Sequence, residues 1–137
     1  IEKLPPHSPR GGMRVGVDLV QISRITRTYQ RFGDRFLHRA YHPNEIKEVI
    51  ELEKRNPARV GPYLASRWAV KEAVFKAVNA ERRCRVPFPA IYLSKSESGS
   101  PVLARSESDW STWQDASVSL SHDGDYAIAS VILSFPR

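Results

Sequence analysis

Hydrophobic and polar residues change their spacing several times along the chain, and those changes mark its elements. Val15 to Ile22 reads V-G-V-D-L-V-Q-I, rich in β-branched residues and apolar on both parities, which predicts a strand buried on both faces. Upstream, residues 1–13 hold three prolines and two glycines with no apolar period, so they read as a tail or linker, with the folded domain over 14–137. Ser23 is placed to cap a helix after the strand. Gly33 should end that helix, and His42-Pro43-Asn44 should open a second that runs to about Arg55. A third begins after Pro57. Between Leu64 and Val78 ten of fifteen residues are apolar and ring much of the helical wheel, the pattern of a buried central helix.

Downstream the period returns to two. Ala90 to Leu93 and Val102 to Ala104 predict short strands on either side of the turn Ser98-Gly99-Ser100-Pro101. Ser106 to Trp113 slightly favours a short amphipathic helix. Val118 and Leu120 alternate with Ser117, Ser119 and Ser121, and Asp123-Gly124-Asp125 then turns the chain into the apolar run Tyr126 to Leu133, which makes a hairpin. A strand, then helices, then mostly strands is the order of an α+β domain.

Composition narrows the chemistry. A chain of 137 residues with 41% hydrophobic and 26% charged residues suits one domain with its own core. No apolar stretch exceeds four residues, against the roughly 20 that span a bilayer, so no transmembrane helix is expected. The single cysteine, Cys84, excludes an intramolecular disulfide and fits a reducing compartment. Net charge is +6, and 15 of the 21 cations are arginines, whose guanidinium forks suit phosphates and carboxylates. An anionic partner is therefore expected, be it nucleic acid, a phosphorylated metabolite or an acidic protein.

Three places strain a purely structural reading. Asp18 lies within an apolar strand on the parity of Gly16 and Val20, where a carboxylate loses hydration and needs a cationic partner or backbone amides. Gly16 allows close approach of a ligand or of other backbone. Glu72 and Lys76 stand four apart on the central helix, downstream of the small residues Ala65 and Ala69. They read either as an ordinary helix pair or as a carboxylate and a cation with space above them. Arg67 and Lys71 add cations on nearby turns, or simply solvated ends of long side chains. Ser119, Ser121 and His122 gather hydroxyls and an imidazole at a sheet end, where an exposed turn histidine is the plain alternative. Zinc-ligand spacing, a nucleophile elbow and a P-loop are all missing from the sequence. Two carboxylates among cations suit Mg²⁺ bridging to a substrate phosphate.

In order along the chain, these segments resemble the 4′-phosphopantetheinyl transferases of the short holo-[acyl-carrier-protein] synthase type. Gly16-Val17-Asp18-Leu19-Val20 with Ile22-Ser23-Arg24-Ile25 resembles the family's first strand and following helix. Arg35-Phe36-Leu37-His38-Arg39 resembles the segment leading to its second helix. Arg67 to Ala77, R-W-A-V-K-E-A-V-F-K-A, is similar to the W/F-x-x-K-E-A-x-x-K-A signature; Ser98 to Pro101 and Ser119 to Asp123 follow in place. Where bacterial members commonly carry a Gly-Thr-Gly-like turn, this chain has Val78-Asn79-Ala80-Glu81-Arg82-Arg83, a basic segment still able to meet a phosphate.

The resemblance implies a small antiparallel sheet packed on a long central helix. It also implies Mg²⁺-dependent transfer of 4′-phosphopantetheine from coenzyme A to a serine of an apo acyl carrier protein, releasing adenosine 3′,5′-bisphosphate. Asp18 and Glu72 would hold Mg²⁺, Lys76 would contact the phosphates, and Glu72 would take the serine proton. Coenzyme A would be bound by Arg67, Lys76, Ser121 and His122. The face formed by Arg24, Arg27 and Arg31 would dock the acidic helix of the carrier. A single unit of this length implies a homotrimer with active sites at the protomer interfaces, acting inside the cell, in the cytoplasm or the mitochondrial matrix. A basic nucleic-acid-binding module is the competing class, but it predicts exposed aromatics among the cations. Here Trp68, Phe75 and Tyr126 fall in core-like runs, so neither nucleic acid nor a membrane is an expected partner.

Overall fold

A computed structural model describes residues 12–80, 85–106 and 112–136. The long helix α4 (Val60–Val78) is its axis, buried along Leu64, Ala65, Ala69, Val70, Ala73, Val74 and Ala77. Against it lies an antiparallel sheet of β1 (Gly12–Gln21), β5 (Tyr126–Phe135) and β4 (Asp115–Asp123), in the order β1-β5-β4. Small alanines on α4 let the sheet come close. On the sheet's inner face Gly16 and Val20 of β1 and Ala127, Ala129, Val131 and Leu133 of β5 are buried, following the period of two. Helices α1 (Ile22–Phe32), α2 (Asp34–Ala40) and α3 (Pro43–Arg55) complete the fold, with a separate hairpin of β2 (Ile91–Lys95) and β3 (Pro101–Arg105). This is the α+β arrangement that the order of patterns predicts, with the sheet divided in two.

Several expectations are corrected. β1 begins at Gly12, so Gly12 and Met13 belong to the strand and not to the tail. Only one of its faces is buried: Met13, Val15, Val17 and Leu19 are 68%, 64%, 48% and 62% exposed. Beside them Tyr126, Ile128 and Ile132 of β5 share the same outer face, as the register Val15↔Ile132, Leu19↔Ile128 and Gln21↔Tyr126 requires. Apolar residues on both parities thus mark a sheet with one face on α4 and the other open in the single chain. Phe75 and Tyr126 are exposed, not core residues. Ser23 lies inside α1 and does not cap it; α2 is a helix of its own where the sequence suggested only a connecting segment. The expected helix within Ser106–Trp113 falls largely on 107–111, outside the described residues. Arg82 and Arg83 of the basic segment after α4 also lie outside them; α4 itself ends with Asn79 Nδ2 donating to the Phe75 carbonyl at 2.9 Å.

Candidate active site

Asp18, Glu72 and Lys76 come together where β1 passes under the second half of α4. The sheet places Asp18 on the inner face, facing the helix, and its side chain is only 14% exposed. An aspartate there needs a cation, and Lys76 supplies it. Lys76 Nζ lies 3.0 Å from Asp18 Oδ1 and also donates to the Val17 carbonyl at 2.9 Å. With half its side chain exposed, Lys76 remains reachable by a ligand while holding the strand.

Glu72 stands one turn before Lys76 on the same helix face. Burial holds its carboxyl above the usual range, and the charge of Asp18 adds to the rise; Lys76 and Arg24 pull the other way. The pair of carboxylates therefore repel one another in a partly desolvated corner. Such a pair is relieved by a divalent cation, and hard oxygen ligands suit Mg²⁺, which commonly takes one or two protein carboxylates and leaves its other positions to phosphate and water. The residues present fit that ion. Among the described residues no group of three or more acidic, histidine or cysteine side chains forms a complete protein cage.

Arg24 is the surprise in this corner. Sequence grouped it with Arg27 and Arg31, and all three are exposed on α1, yet Arg24 is the one whose charge reaches Glu72. The other expected ligands lie elsewhere in the protomer. Arg67 stacks on the Tyr63 ring at 4.4 Å and donates to Ser66 Oγ at 2.9 Å, away from Glu72 on the helix wheel. Ser121 and His122 are exposed on β4, which β5 separates from β1. Ser121 points to the outer face with Ile128, while His122 shares the inner parity with Ala127.

Lys71 corrects the reading of a solvated cation. It is fully buried, paired to Glu45 at 2.7 Å, and donates to the carbonyls of Phe88 and Ile91. Burial pushes its ammonium pKa down and the Glu45 carboxylate pushes it back up. Glu45 also accepts the His42 amide at 2.8 Å in the capping box of α3. One buried pair thus joins α3, α4 and the start of β2 directly behind Glu72. A signal for it was present in the sequence: Lys71 sits seven residues after Leu64 and seven before Val78, on the apolar stripe.

The family model of the 4′-phosphopantetheinyl transferase superfamily matches residues 14–131. The holo-[acyl-carrier-protein] synthase of Sulfurovum sp. is 34% identical over 125 residues, 90% of this chain and 98% of that protein. Among solved structures, the holo-[acyl-carrier-protein] synthase of Neisseria meningitidis superposes with a TM-score of 0.74 at 30% identity, covering 88% of this chain and 96% of that one. The Helicobacter pylori enzyme, solved in complex with coenzyme A, gives 0.70 at 33%, covering 88% and 99%. A match over nearly the whole length, with the signature helix carrying Glu72 and Lys76 against Asp18, places the sequence, and the chain belongs to the 4′-phosphopantetheinyl transferase superfamily as a single unit of the holo-[acyl-carrier-protein] synthase type.

Proposed function

We propose that the protein transfers 4′-phosphopantetheine from coenzyme A to a serine of an apo acyl carrier protein. The observation that carries this is the joint placement of Asp18, Glu72 and Lys76, on a chain that matches a holo-[acyl-carrier-protein] synthase over 90% of its length. Asp18 and Glu72 would hold Mg²⁺. A bound Mg²⁺ supplies charge neutralisation at the pyrophosphate under attack. Lys76, anchored to Asp18 yet half exposed, offers its ammonium to the phosphate oxygens and stabilises charge on the leaving group. Glu72 is the carboxylate placed to accept the serine proton as the new P–O bond forms. The old P–O bond breaks with its electron pair going to adenosine 3′,5′-bisphosphate.

The same reading accounts for the open sheet face. Four large apolar side chains on β1 and three on β5 form an exposed patch of the sort that marks protein contact, and a homotrimer would cover it. Ser121 borders that face and His122 stands at the hairpin end. Both can therefore complete a coenzyme site on a neighbouring copy, which is how two expected ligands absent from the Asp18 corner would serve it. Arg24, Arg27 and Arg31 present a cationic face to an acidic carrier. No helix among the described residues is long and apolar enough to cross a membrane. The bacterial relatives favour action in the cytoplasm.

The direct test is incubation with coenzyme A, Mg²⁺ and an apo acyl carrier protein, followed by intact mass of the carrier. A gain of one phosphopantetheine that chelation abolishes is the expected result. No gain on any of several bacterial apo carriers would sink the proposal.

A further inference from the structure

Helix α1 starts without a cap of its own. Gln21 makes no side-chain capping bond, and the first turn contains no acidic residue, although the amides there have no partner within the helix. The missing partner arrives from 102 residues along the chain. Asp125, in the turn between β4 and β5, accepts the Ile22 amide on its carbonyl at 2.7 Å and the Ser23 amide on Oδ1 at 2.9 Å. Its Oδ2 accepts the Ser23 hydroxyl at 2.6 Å. A carboxylate at this end also opposes the positive pole of the helix.

Ser23 immediately precedes Arg24, the first of the three arginines that α1 exposes. We propose that Asp125 is a positioning residue for carrier recognition: its carboxylate sets the first turn of α1, and through it the place where Arg24 meets the carrier. The inference rests on the reading of α1 as the carrier-docking face. Its reach is local. Without the Asp125 carboxylate the hairpin stays paired through Asp123↔Tyr126, β1 stays paired through Gln21↔Tyr126, and the backbone bond from Ile22 persists. Ile22 and Ile25 remain buried. What is freed is the Ser23–Arg24 turn, while Asp18, Glu72 and Lys76 keep their supports.

Steady-state kinetics with coenzyme A, Mg²⁺ and an apo acyl carrier protein separate this role from general scaffolding. Asp125→Ala should raise KM for the carrier about three- to tenfold, the size expected for loss of one helix cap. KM for coenzyme A and kcat at saturating carrier should stay close to those of the wild type. Asp125→Asn should recover most of the loss, since its carboxamide oxygen can take the Ser23 amide and its nitrogen can donate to the hydroxyl. Should Asp125→Ala fail to fold, Ser23→Ala, which removes only the hydroxyl bond, should move carrier KM in the same direction by a smaller factor. In an Arg24→Ala background Asp125→Ala should add little. An unchanged carrier KM, equal rises for both substrates, or no rescue by Asn overturns the proposal. A wild-type chain that transfers nothing overturns the reading beneath it, and the proposal with it.

Discussion

Gly16 of β1 lies directly against the backbone of Ala73 on α4: a Cβ at Gly16 would stand 1.8 Å from the Ala73 carbonyl oxygen and 3.1 Å from the Ala77 amide nitrogen. The obstacle is main chain, which no rotamer change can move aside. This contact sets the distance between strand and helix one residue from Glu72 and two residues from Asp18. Gly16→Ala must push β1 off α4, at a cost of roughly 3 kcal/mol, toward the upper end for overpacked sites. Urea denaturation should show the lowered midpoint, and transfer by the folded fraction should fall because Asp18 moves away from Lys76. A midpoint equal to wild type would mean that the strand is not seated on the helix as described.

Asp18→Asn separates chemistry from scaffold. The carboxamide oxygen can still accept from Lys76, and losing an ion pair whose lysine is half exposed costs at most about 1 kcal/mol. Transfer should nevertheless drop by at least about a hundredfold, the scale expected when one preorganised charge is taken from such a site. Binding of Mn²⁺ in the presence of coenzyme A, followed by spin resonance, should weaken in parallel. Retained transfer at limiting Mg²⁺ would remove Asp18 from the metal site.

The Lys71–Glu45 pair predicts the opposite pattern, a large stability effect at a residue that touches no substrate. Lys71→Met leaves Glu45 buried without its cation and the Phe88 and Ile91 carbonyls without their donor. The cost should be about 3–5 kcal/mol, a large share of a small domain's stability. Replacing both residues by apolar ones of similar volume should recover much of it. Calorimetry of the two single variants and the double variant decides the matter; near-zero coupling would contradict a buried pair.

The sequence made some of this legible and hid the rest for identifiable reasons. Gly33 and His42-Pro43 marked helix ends because those residues act locally, through a positive φ of 54° and through a capping box. Asp18, Glu72 and Lys76 stood out because polar groups in apolar runs demand an explanation. Lys71 was misread because a single lysine beside a charged neighbour looks solvated until Glu45, from another helix, is seen to meet it. Asp125 was missed because its bond to Ser23 depends on how the last hairpin packs, which no local pattern records. The outer face of β1 looked like a buried strand because the pattern registers apolar surface and not which molecule covers it.

That face yields its own test. Leu19 is 62% exposed in the single chain, so Leu19→Asp should leave the protomer folded, while a charge placed among Val17, Ile128 and Tyr126 should disfavour any self-contact there. Sedimentation should shift from about three chains per particle to one, with transfer lost alongside. A Leu19→Asp protein that stays assembled and active would show that the sheet face is not the interface.

Glu72 carries the pH dependence. Its raised pKa means that the folded state holds this proton more tightly than the unfolded chain does, so stability falls as pH rises from the ordinary glutamate range through the raised value. Above that window the ionised carboxylate is a standing cost, caused by burial and by Asp18. Glu72→Gln removes it. The variant should therefore melt a few degrees higher than wild type at pH 8 in the absence of divalent ions, and the advantage should shrink as the pH drops through the window. Activity should run the other way: with Mg²⁺ present, whose charge favours the carboxylate, kcat should rise in wild type as Glu72 loses its proton and becomes able to accept one from serine, and Glu72→Gln should lack that limb altogether. Melting curves without divalent ions and kcat profiles with Mg²⁺ test the two halves. A Gln variant that is less stable than wild type at pH 8, or that keeps the wild-type limb, would show that the carboxylate is neither strained by its surroundings nor the group that takes the proton.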